Sequence, residues 1–254
     1  MARGLKRRQP DAVGPSAERA DDGEQQEQPP QEQQHDHRRH DAEQLDLKVL
    51  TGTTIPAAML TAVLALVEEN VAAYYGASWE RAAKHDELAH PDTNLLLLCS
   101  GSARICAAAT YRICHEESVH VAYLYELQVA EHARASGHGS RLMAEIVRIA
   151  REAGVAGVML TVHARNLRAR SFYASRRFEV SPISPSLCAP PALARTCNYE
   201  VMQLIWDAEG RRKLQRRGAI AKQRLYLDAM REGSLRIRLT MRSKAVRALD
   251  MSGL

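Results

Sequence analysis

Apolar and polar positions divide the chain into a polar beginning, a long apolar middle and a basic end. Between residues 45 and 206 apolar side chains recur at helix and strand spacings, whereas residues 1–44 are rich in Gln, Glu, His and Arg. A segment with so little apolar content cannot offset its chain entropy by burial. We therefore predict a disordered arm over 1–44, one folded domain over 45–206 and a C-terminal extension over 207–254.

Four segments of the middle region show the spacing of a helix with one buried stripe. Pro56 opens the first helix, which ends near Gly76. The second runs from an N-cap at Ser78 to Leu88. The third follows Gly139 and ends at Gly154, and the fourth starts at Asn166. Five further segments read as strands, over 94–99, 103–113, 123–129, 157–162 and 198–205. The order of these elements predicts a single α/β domain in which helices flank a mixed sheet.

The strand over 123–129 carries a carboxylate in its middle. Alternation places Tyr123, Tyr125, Leu127 and Val129 on one face, and Leu124, Glu126 and Gln128 on the other. This pattern directs Glu126 toward a cleft. The two tyrosines border that cleft or are ordinary core residues.

A glycine turn follows this strand, with the sequence Arg134-Ala-Ser-Gly-His-Gly139. Glycines at 137 and 139 let successive backbone N–H groups converge on an anion, and the next helix adds its positive dipole end. The spacing differs from the dinucleotide fingerprint and from a P-loop. The turn therefore predicts a pyrophosphate ligand that is neither NAD nor ATP, although glycines at such a turn also serve structure alone.

Charge and cysteines limit the partners. Residues 207–254 contain 13 Lys/Arg against 5 Asp/Glu, so the basic pI belongs to the extension. Such a run contacts nucleic acid or an acidic partner, or is a solvated face, and no interleaved aromatics indicate base stacking. The extension itself is disordered, a partner-binding helix or an addition without a predicted role. Five cysteines without a C-x-x-C pair fit a reducing compartment and no metal site. No apolar run of about 18 residues occurs, so we predict no membrane span.

The turn Arg134-x-x-Gly137-x-Gly139 after a central strand resembles the acetyl-coenzyme A signature of the GNAT acetyltransferases. The wider set of motifs resembles the NatD-type N-terminal acetyltransferases over roughly residues 55–205. It comprises Tyr123-x-Tyr-Glu-Leu-Gln-Val129, Val158-Met-Leu-Thr-Val162, Asn166 with Phe172-Tyr173, Ser184-Pro-Ser186 and Cys197-Asn-Tyr-Glu200. The resemblance implies acetyl-CoA as cosubstrate and acetylation of histone chains that begin Ser-Gly-Arg-Gly. It also implies a monomer without auxiliary subunit, in the nucleus and cytoplasm.

The resemblance assigns roles to residues. Glu126 would be the general base, Tyr125 a cleft residue that relays a proton, and Tyr173 the group that protonates or stabilises the leaving thiolate. An α-amino group with a pKa near 7.7–8.0 requires only a modest base. Asn166 would bind pantetheine, cap its helix, or do both. The implied cofactor residues are Leu127, Gln128, Val129, Arg134, Ala135, Ser136, Gly137, His138, Gly139, Ser140, Asn166 and Tyr173. The implied substrate residues are Tyr75, Trp79, Cys114, Glu116, Tyr123, Tyr125, Thr161, Ser184 and Tyr199.

The sequence departs from the family pattern at Cys114, where relatives carry an acidic residue. Glu116 or Glu117 is our hypothesis for the partner of the substrate arginine. Two alternatives remain open at this stage. The enzyme acetylates another protein N terminus or a small amine, or the chain is an inactive acyl-CoA-binding module that tethers to chromatin.

Overall fold

The computed structural model describes residues 45–101 and 104–231, and the predicted arm and the last part of the extension lie outside the described residues. The strands are β1 (Leu45–Thr51), β2 (Asn94–Ser100), β3 (Arg104–Glu116), β4 (Val119–Val129), β5 (Gly157–His163), β6 (Glu179–Val180) and β7 (Tyr199–Ile205). The helices are α1 (Ala57–Tyr75), α2 (Arg81–Leu88), α3 (His138–Glu152), α4 (Leu167–Ala174), α5 (Pro185–Cys188), α6 (Pro191–Ala194) and α7 (Ala208–Arg231).

The strands form one seven-stranded mixed sheet in the order β1-β2-β3-β4-β5-β7-β6. Only β4 and β5 pair in parallel, and their pairing covers residues 122–124 and 158–160. Beyond Leu124 the two strands are no longer paired, so a gap opens in the centre of the sheet. This architecture confirms the predicted mixed α/β fold with flanking helices.

Alternating residues of the strands pack against helices on both faces of the sheet. Leu96 and Leu98 of β2 pack with Leu142 and Ile146 of α3, while the intervening leucines pack under α1. Each of these side chains is less than 2% exposed, so each contributes about 1.5–3 kcal/mol of burial to the fold. Strand β2 is apolar on both faces because helices cover it on both sides.

A bulge in β4 overturns the predicted alternation. Leu124 and Leu127 both pack in the α3 cluster, whereas Tyr123 and Tyr125 belong to a cluster on the opposite face. The bulge makes Tyr125 the extra residue, so the phase of the strand changes there. Leu127 therefore does not share a face with the two tyrosines. The pairs that define the shift are Thr110 with Glu126 and Tyr111 with Leu124.

The predicted helices and strands are present with ends shifted by up to four residues, but several elements were missed. Strand β1 escaped detection although it pairs along its whole length with β2, and β6, α5 and α6 are too short for a periodic signal. The Ser78 N-cap was wrong. Helix α2 begins at Arg81 with Glu80 as its N-cap, and Ser78 Oγ donates to the carbonyl of Tyr75 at 2.7 Å.

Helix α7 resolves the open interpretation of residues 208–231. Gly210, Leu214, Gly218 and Leu225 are buried along one narrow stripe, and an added Cβ at Gly218 would lie 2.4 Å from the carbonyl of Pro182. The glycines let the helix approach the domain, and Leu214 packs with Tyr123 on the face opposite α3. The basic side chains of α7 from Arg211 to Arg224 are exposed.

One described segment, Ala57–Ser78, is long and apolar enough to cross a membrane by length and composition. Thr61, Glu68 and Asn70 interrupt the apolar run in this segment, so the segment does not contain 18 consecutive apolar residues. Within α1, Val63 and Val67 are at most 1% exposed and pack against the sheet.

Candidate active site

A large cleft of about 660 Å³ opens where β4 ends and α3 begins. Ala135 and Gly137 have φ values of 66° and 80°, so the turn bends through the left-handed region before the helix. The first N–H groups of α3 have no acceptor within the helix. The turn thus presents backbone donors and a helix N-terminus to the cleft, which fits a diphosphate.

The cleft brings together the residues predicted to hold a cofactor. Its lining includes every member of that predicted set except Ser136. Gly139 packs closely against its neighbours, since a Cβ there would be in van der Waals contact with the Phe172 ring at 3.4 Å and with Leu127 at 3.5 Å. Arg176 stacks 3.7 Å above the same ring and hydrogen-bonds to Ser140. Neither Phe172 nor Arg176 was among the predicted cofactor residues.

A smaller cavity of about 120 Å³ adjoins the cleft on the face opposite α3. Tyr75, Tyr123 and Tyr125 line it, as does His163, whose ring lies 5.7 Å from that of Tyr75. The two cavities share a common wall, which is formed by Val71, Tyr74, Leu127, Gln128, Asn166, Ala169 and Tyr173. The small cavity is therefore an aromatic pocket that shares a wall with the large cleft.

Glu126 lies in this small cavity and is 7% exposed. Lys84 Nζ donates to its Oε1 at 2.8 Å, and Gln128 Nε2 donates to its Oε2 at 2.7 Å. A carboxylate has about four lone-pair positions, so each oxygen can accept another proton or hydrogen bond. The two contacts hold the carboxylate in place and leave it able to bind an ammonium group.

Lys84 lies between two carboxylates, since its Nζ also donates to Glu87 Oε1 at 2.6 Å. Burial would lower the pKa of Lys84, but the charges of Glu126 and Glu87 outweigh burial and raise that pKa above its usual value. Lys84 therefore stays charged at neutral pH. Arg112 adds a second cation, stacking 4.4 Å from the Tyr125 ring.

Tyr173 is buried in the wall between the two cavities. Burial and the charge of Glu126 raise the pKa of its hydroxyl, so the hydroxyl is protonated at neutral pH. A protonated phenol at this wall can donate to a sulfur or oxygen atom that becomes negative.

Tyr123 and Thr161 meet across the gap, with 2.6 Å between their hydroxyl oxygens. Both line the small cavity. Cys114 packs in the same cluster as Tyr123, and the charge of Glu116 acts on the Tyr123 hydroxyl. Cys114 and Glu116 therefore lie on the same face of the sheet as Tyr123.

The remaining predicted substrate residues lie at different distances from the pocket. Trp79 stands behind Tyr75, with 5.9 Å between the rings, and Tyr199 pairs with His163 at the cavity edge. Ser184 is fully buried and is a correction. Its Oγ donates to Glu200 at 2.6 Å and accepts from the Val201 N–H at 3.0 Å, so it has a structural role and lines neither cavity.

Asn166 caps α4, because its Oδ1 accepts from the Ala169 N–H at 3.0 Å. It also lines both cavities. The cap is thus observed, and a contact with pantetheine remains compatible with it.

His163 gives the pocket a pH dependence. Burial and then the charge of Arg165 lower its pKa from 6.5, and its Nδ1 accepts from the Arg165 N–H at 3.2 Å. The folded state therefore favours neutral His163, while the unfolded chain binds a proton near pH 6.5. This contribution is present above pH 6.5 and is lost as the pH falls below it.

We expect the loss of stability between pH 7.5 and pH 6.0 to be smaller in His163→Phe by at most about 0.8 kcal/mol. Phenylalanine keeps the ring packing but does not titrate. Urea denaturation at both pH values measures the difference, with exposed His85→Phe as the control. An identical loss in His163→Phe and in the unaltered chain would contradict the assignment.

Several residues of the site were not predicted from the sequence. Lys84, Glu87 and Asn70 lie on helices, where a polar residue is usually solvated, and they reach the site only because α1 and α2 cover the sheet. A partial signal existed in α2, where the spacing of Lys84 and Glu87 puts both on one helix face. Within the described ranges no three His, Cys, Asp or Glu side chains are grouped to hold a metal.

Residues 63–178 match the model of the Acetyltransferase (GNAT) family. The glycine turn, the splayed strands β4 and β5 and the paired cavities lie within or beside this match. Residues 63–178 are therefore similar to the GNAT acetyltransferases, a family whose acetyl donor is acetyl-CoA.

Several solved structures are similar to the chain. A protein from Desulfovibrio desulfuricans, assigned to the GNAT family, is 16% identical over 64% of this chain and 99% of that one, with a TM-score of 0.49. The ribosomal-protein-S18-alanine N-acetyltransferase from Escherichia coli is 16% identical over 63% and 94%, with a TM-score of 0.47. The PaiA N-acetyltransferase from Thermoplasma acidophilum, solved with coenzyme A, is 15% identical over 63% and 99%, with a TM-score of 0.46.

Proposed function

We propose that the protein transfers an acetyl group from acetyl-CoA to the α-amino group of a protein N terminus. The observation that carries this proposal is the position of Glu126 in a small aromatic pocket that shares a wall with the cofactor cleft. Histone chains beginning Ser-Gly-Arg-Gly are the proposed substrates, because the motifs of β4, β5 and β7 resemble enzymes with that preference.

The reaction begins with loss of a proton from the substrate ammonium to Glu126, directly or through a water molecule. The free amine then attacks the thioester carbon and the C–N bond forms. The nitrogen loses its second proton to solvent, and the C–S bond breaks to give the coenzyme A thiolate. No covalent enzyme intermediate is needed, because the two substrates meet at one wall. Lys84 and Gln128 keep the carboxylate oriented, which favours the reactive geometry.

Charge that develops during the transfer needs donors at two places. The β4 bulge and the gap after Leu124 leave main-chain groups near the thioester oxygen, where an N–H stabilises the oxyanion. Tyr173 carries its proton on the cofactor side of the wall and protonates or stabilises the departing thiolate. Glu126 thus accepts the proton from the ammonium group, and Tyr173 acts on the sulfur.

The size and lining of the small pocket support a substrate with a small first residue. The pocket holds about 120 Å³ between tyrosine rings, which suits serine followed by glycine better than methionine. The hydroxyls of Tyr123 and Thr161 offer polar contacts to the peptide backbone.

Glu116 is the better candidate for the substrate arginine. Glu117 is in the hairpin turn with φ at 47° and lies 3.9 Å from Arg217 of α7, whereas Glu116 acts on Tyr123 from the same face. We expect Glu116→Gln to raise KM for a Ser-Gly-Arg-Gly peptide about tenfold, as loss of a charged contact does. Glu117→Gln is the matched control and should change KM less than twofold. Equal KM values for Glu116→Gln and the unaltered chain would exclude this role.

Mass spectrometry of a peptide panel tests the proposed function. The full chain and acetyl-CoA are incubated with Ser-Gly-Arg-Gly peptides and with peptides that begin with Ala, Met or Pro. Acetylation confined to the first peptide supports the histone-type substrate. Acetylation of another panel member moves the preference to a different terminus, and no acetylation of any peptide favours an acyl-CoA-binding tether.

A further inference from the structure

A continuous chain of side-chain hydrogen bonds joins Glu126 to the cofactor turn. Gln128 Nε2 donates to Glu126, and Asn70 Nδ2 donates to Gln128 Oε1 at 3.0 Å. Arg134 Nη2 in turn donates to Asn70 Oδ1 at 2.6 Å. The chain runs from the carboxylate in the small pocket, through helix α1, to the first residue of the glycine turn.

Asn70 is the middle of this chain and has every polar atom of its side chain engaged. Its amide nitrogen also donates to the carbonyl of Val129 at 3.2 Å, at the end of the strand that borders the cleft. An amide has a fixed order of donor and acceptor, so Asn70 offers its oxygen to Arg134 only while its nitrogen faces Gln128. The orientation of one neighbour therefore determines that of the other.

Gln128 transmits the same constraint to Glu126. It is 9% exposed, and its amide oxygen accepts from Asn70 while its nitrogen faces the carboxylate. A reversed amide would place two donors against each other at Asn70 and an oxygen against the Glu126 carboxylate. Such buried mismatches cost about 1–3 kcal/mol each, so the chain has one preferred orientation.

Arg134 connects this orientation to the ligand. It lines the large cleft at the turn that fits a diphosphate, and a guanidinium has five N–H donors, of which Asn70 takes one. We propose that Asn70 and Gln128 are positioning residues which couple occupancy of the acetyl-CoA turn to the orientation of Glu126. The inference deepens the proposed function, since it depends on Glu126 as the base.

Coupling of this kind is reciprocal, so a change at Glu126 must alter ligand binding at the turn. In Glu126→Gln the new amide nitrogen can face the Gln128 nitrogen, which disturbs Gln128, Asn70 and then Arg134. In Asn70→Ala the series of hydrogen bonds is interrupted, so a change at Glu126 cannot alter the position of Arg134. The effect of Glu126→Gln on coenzyme A affinity should therefore depend on the residue at position 70.

Isothermal titration of coenzyme A into the full chain tests this with a double-mutant cycle. We expect Asn70→Ala to weaken binding about fivefold and Glu126→Gln about threefold, with the double variant no weaker than Asn70→Ala within about 1.5-fold. Gln128→Met interrupts the chain without touching Arg134 and should likewise abolish the effect of Glu126→Gln. It serves as the second route if Asn70→Ala does not fold. Thr61→Ala, exposed on the same helix, is the control and should bind as the unaltered chain does.

The cycle gives a decisive result in each direction. Single effects that multiply in the double variant, or unchanged coenzyme A binding in Glu126→Gln, would overturn the coupling. The readout is binding of coenzyme A and requires no acetyl transfer. Full acetylation by Glu126→Gln would thus remove Glu126 as the base while the cycle still decided whether the two sites are linked.

Discussion

Glu126→Gln is expected to lower kcat for acetylation of an N-terminal peptide by about 100-fold or more, the usual contribution of a general base. Glutamine has nearly the same size and still accepts from Lys84, so the pocket keeps its shape. Removing the proton acceptor alone leaves the ammonium group unable to become a nucleophile. Initial rates with saturating acetyl-CoA and peptide measure the effect.

Glu152→Gln provides a matched carboxylate-to-amide control on the surface. The side chain of Glu152 is 62% exposed at the end of α3 and pairs with the exposed side chain of Arg148. The Glu152→Gln variant should therefore retain full kcat. Coenzyme A affinity should change no more than about threefold in Glu126→Gln, which separates loss of chemistry from loss of binding. Undiminished kcat in Glu126→Gln would exclude Glu126 as the base.

Lys84→Met is expected to lower the free energy of unfolding by about 3 kcal/mol, because it leaves carboxylates buried without their cation. The side chain of Lys84 is 15% exposed, and the side chains of its partners Glu87 and Glu126 are 2% and 8% exposed. Methionine fills the space of the aliphatic stem, so packing loss is small. Urea denaturation at pH 7.5 measures the change.

The control for this prediction is Lys213→Met, which breaks an exposed pair with Glu209 at 2.9 Å. Exposed pairs contribute about 0–1 kcal/mol, so its stability should stay within that range. A Lys84→Met variant as stable as Lys213→Met would show that the buried carboxylates do not need the cation. Restored stability in Lys84→Met combined with Glu87→Leu would locate the cost at Glu87.

The pocket chemistry therefore depends on charges that helix α2 brings to the sheet. Lys84 holds two carboxylates next to the reaction site, and Arg112 adds a cation behind Tyr125. Charged groups packed this densely are frequent at functional sites. They explain why Glu126, although it is buried, remains a defined acceptor.

Much of the fold and of the cofactor cleft was predictable from local pattern. The apolar stripe of α3, the alternating strands and the glycines at 137 and 139 are determined by neighbours within a few residues, so their signals are visible in sequence. Most residues of the predicted cofactor set lie at 127–129 and 134–140 around one turn, whereas Asn166 and Tyr173 were taken from the resemblance to the acetyltransferases. The prediction that Ser184 contacts the substrate was wrong, because the motif around Ser184 does not indicate burial and its hydroxyl donates to Glu200.

The sequence by itself determined the mixed α/β domain, the glycine turn and the carboxylate in the central strand, because spacing and backbone requirements are local. Only the tertiary structure decided which way that carboxylate faces and what holds it. The bulge at Tyr125 changes the phase of β4, and pairing with β3 creates it. Lys84 contacts Glu126 from 42 residues away, and Asn70 contacts Gln128 from 58 residues away. Such contacts arise from helix packing on the sheet, which no local periodicity records.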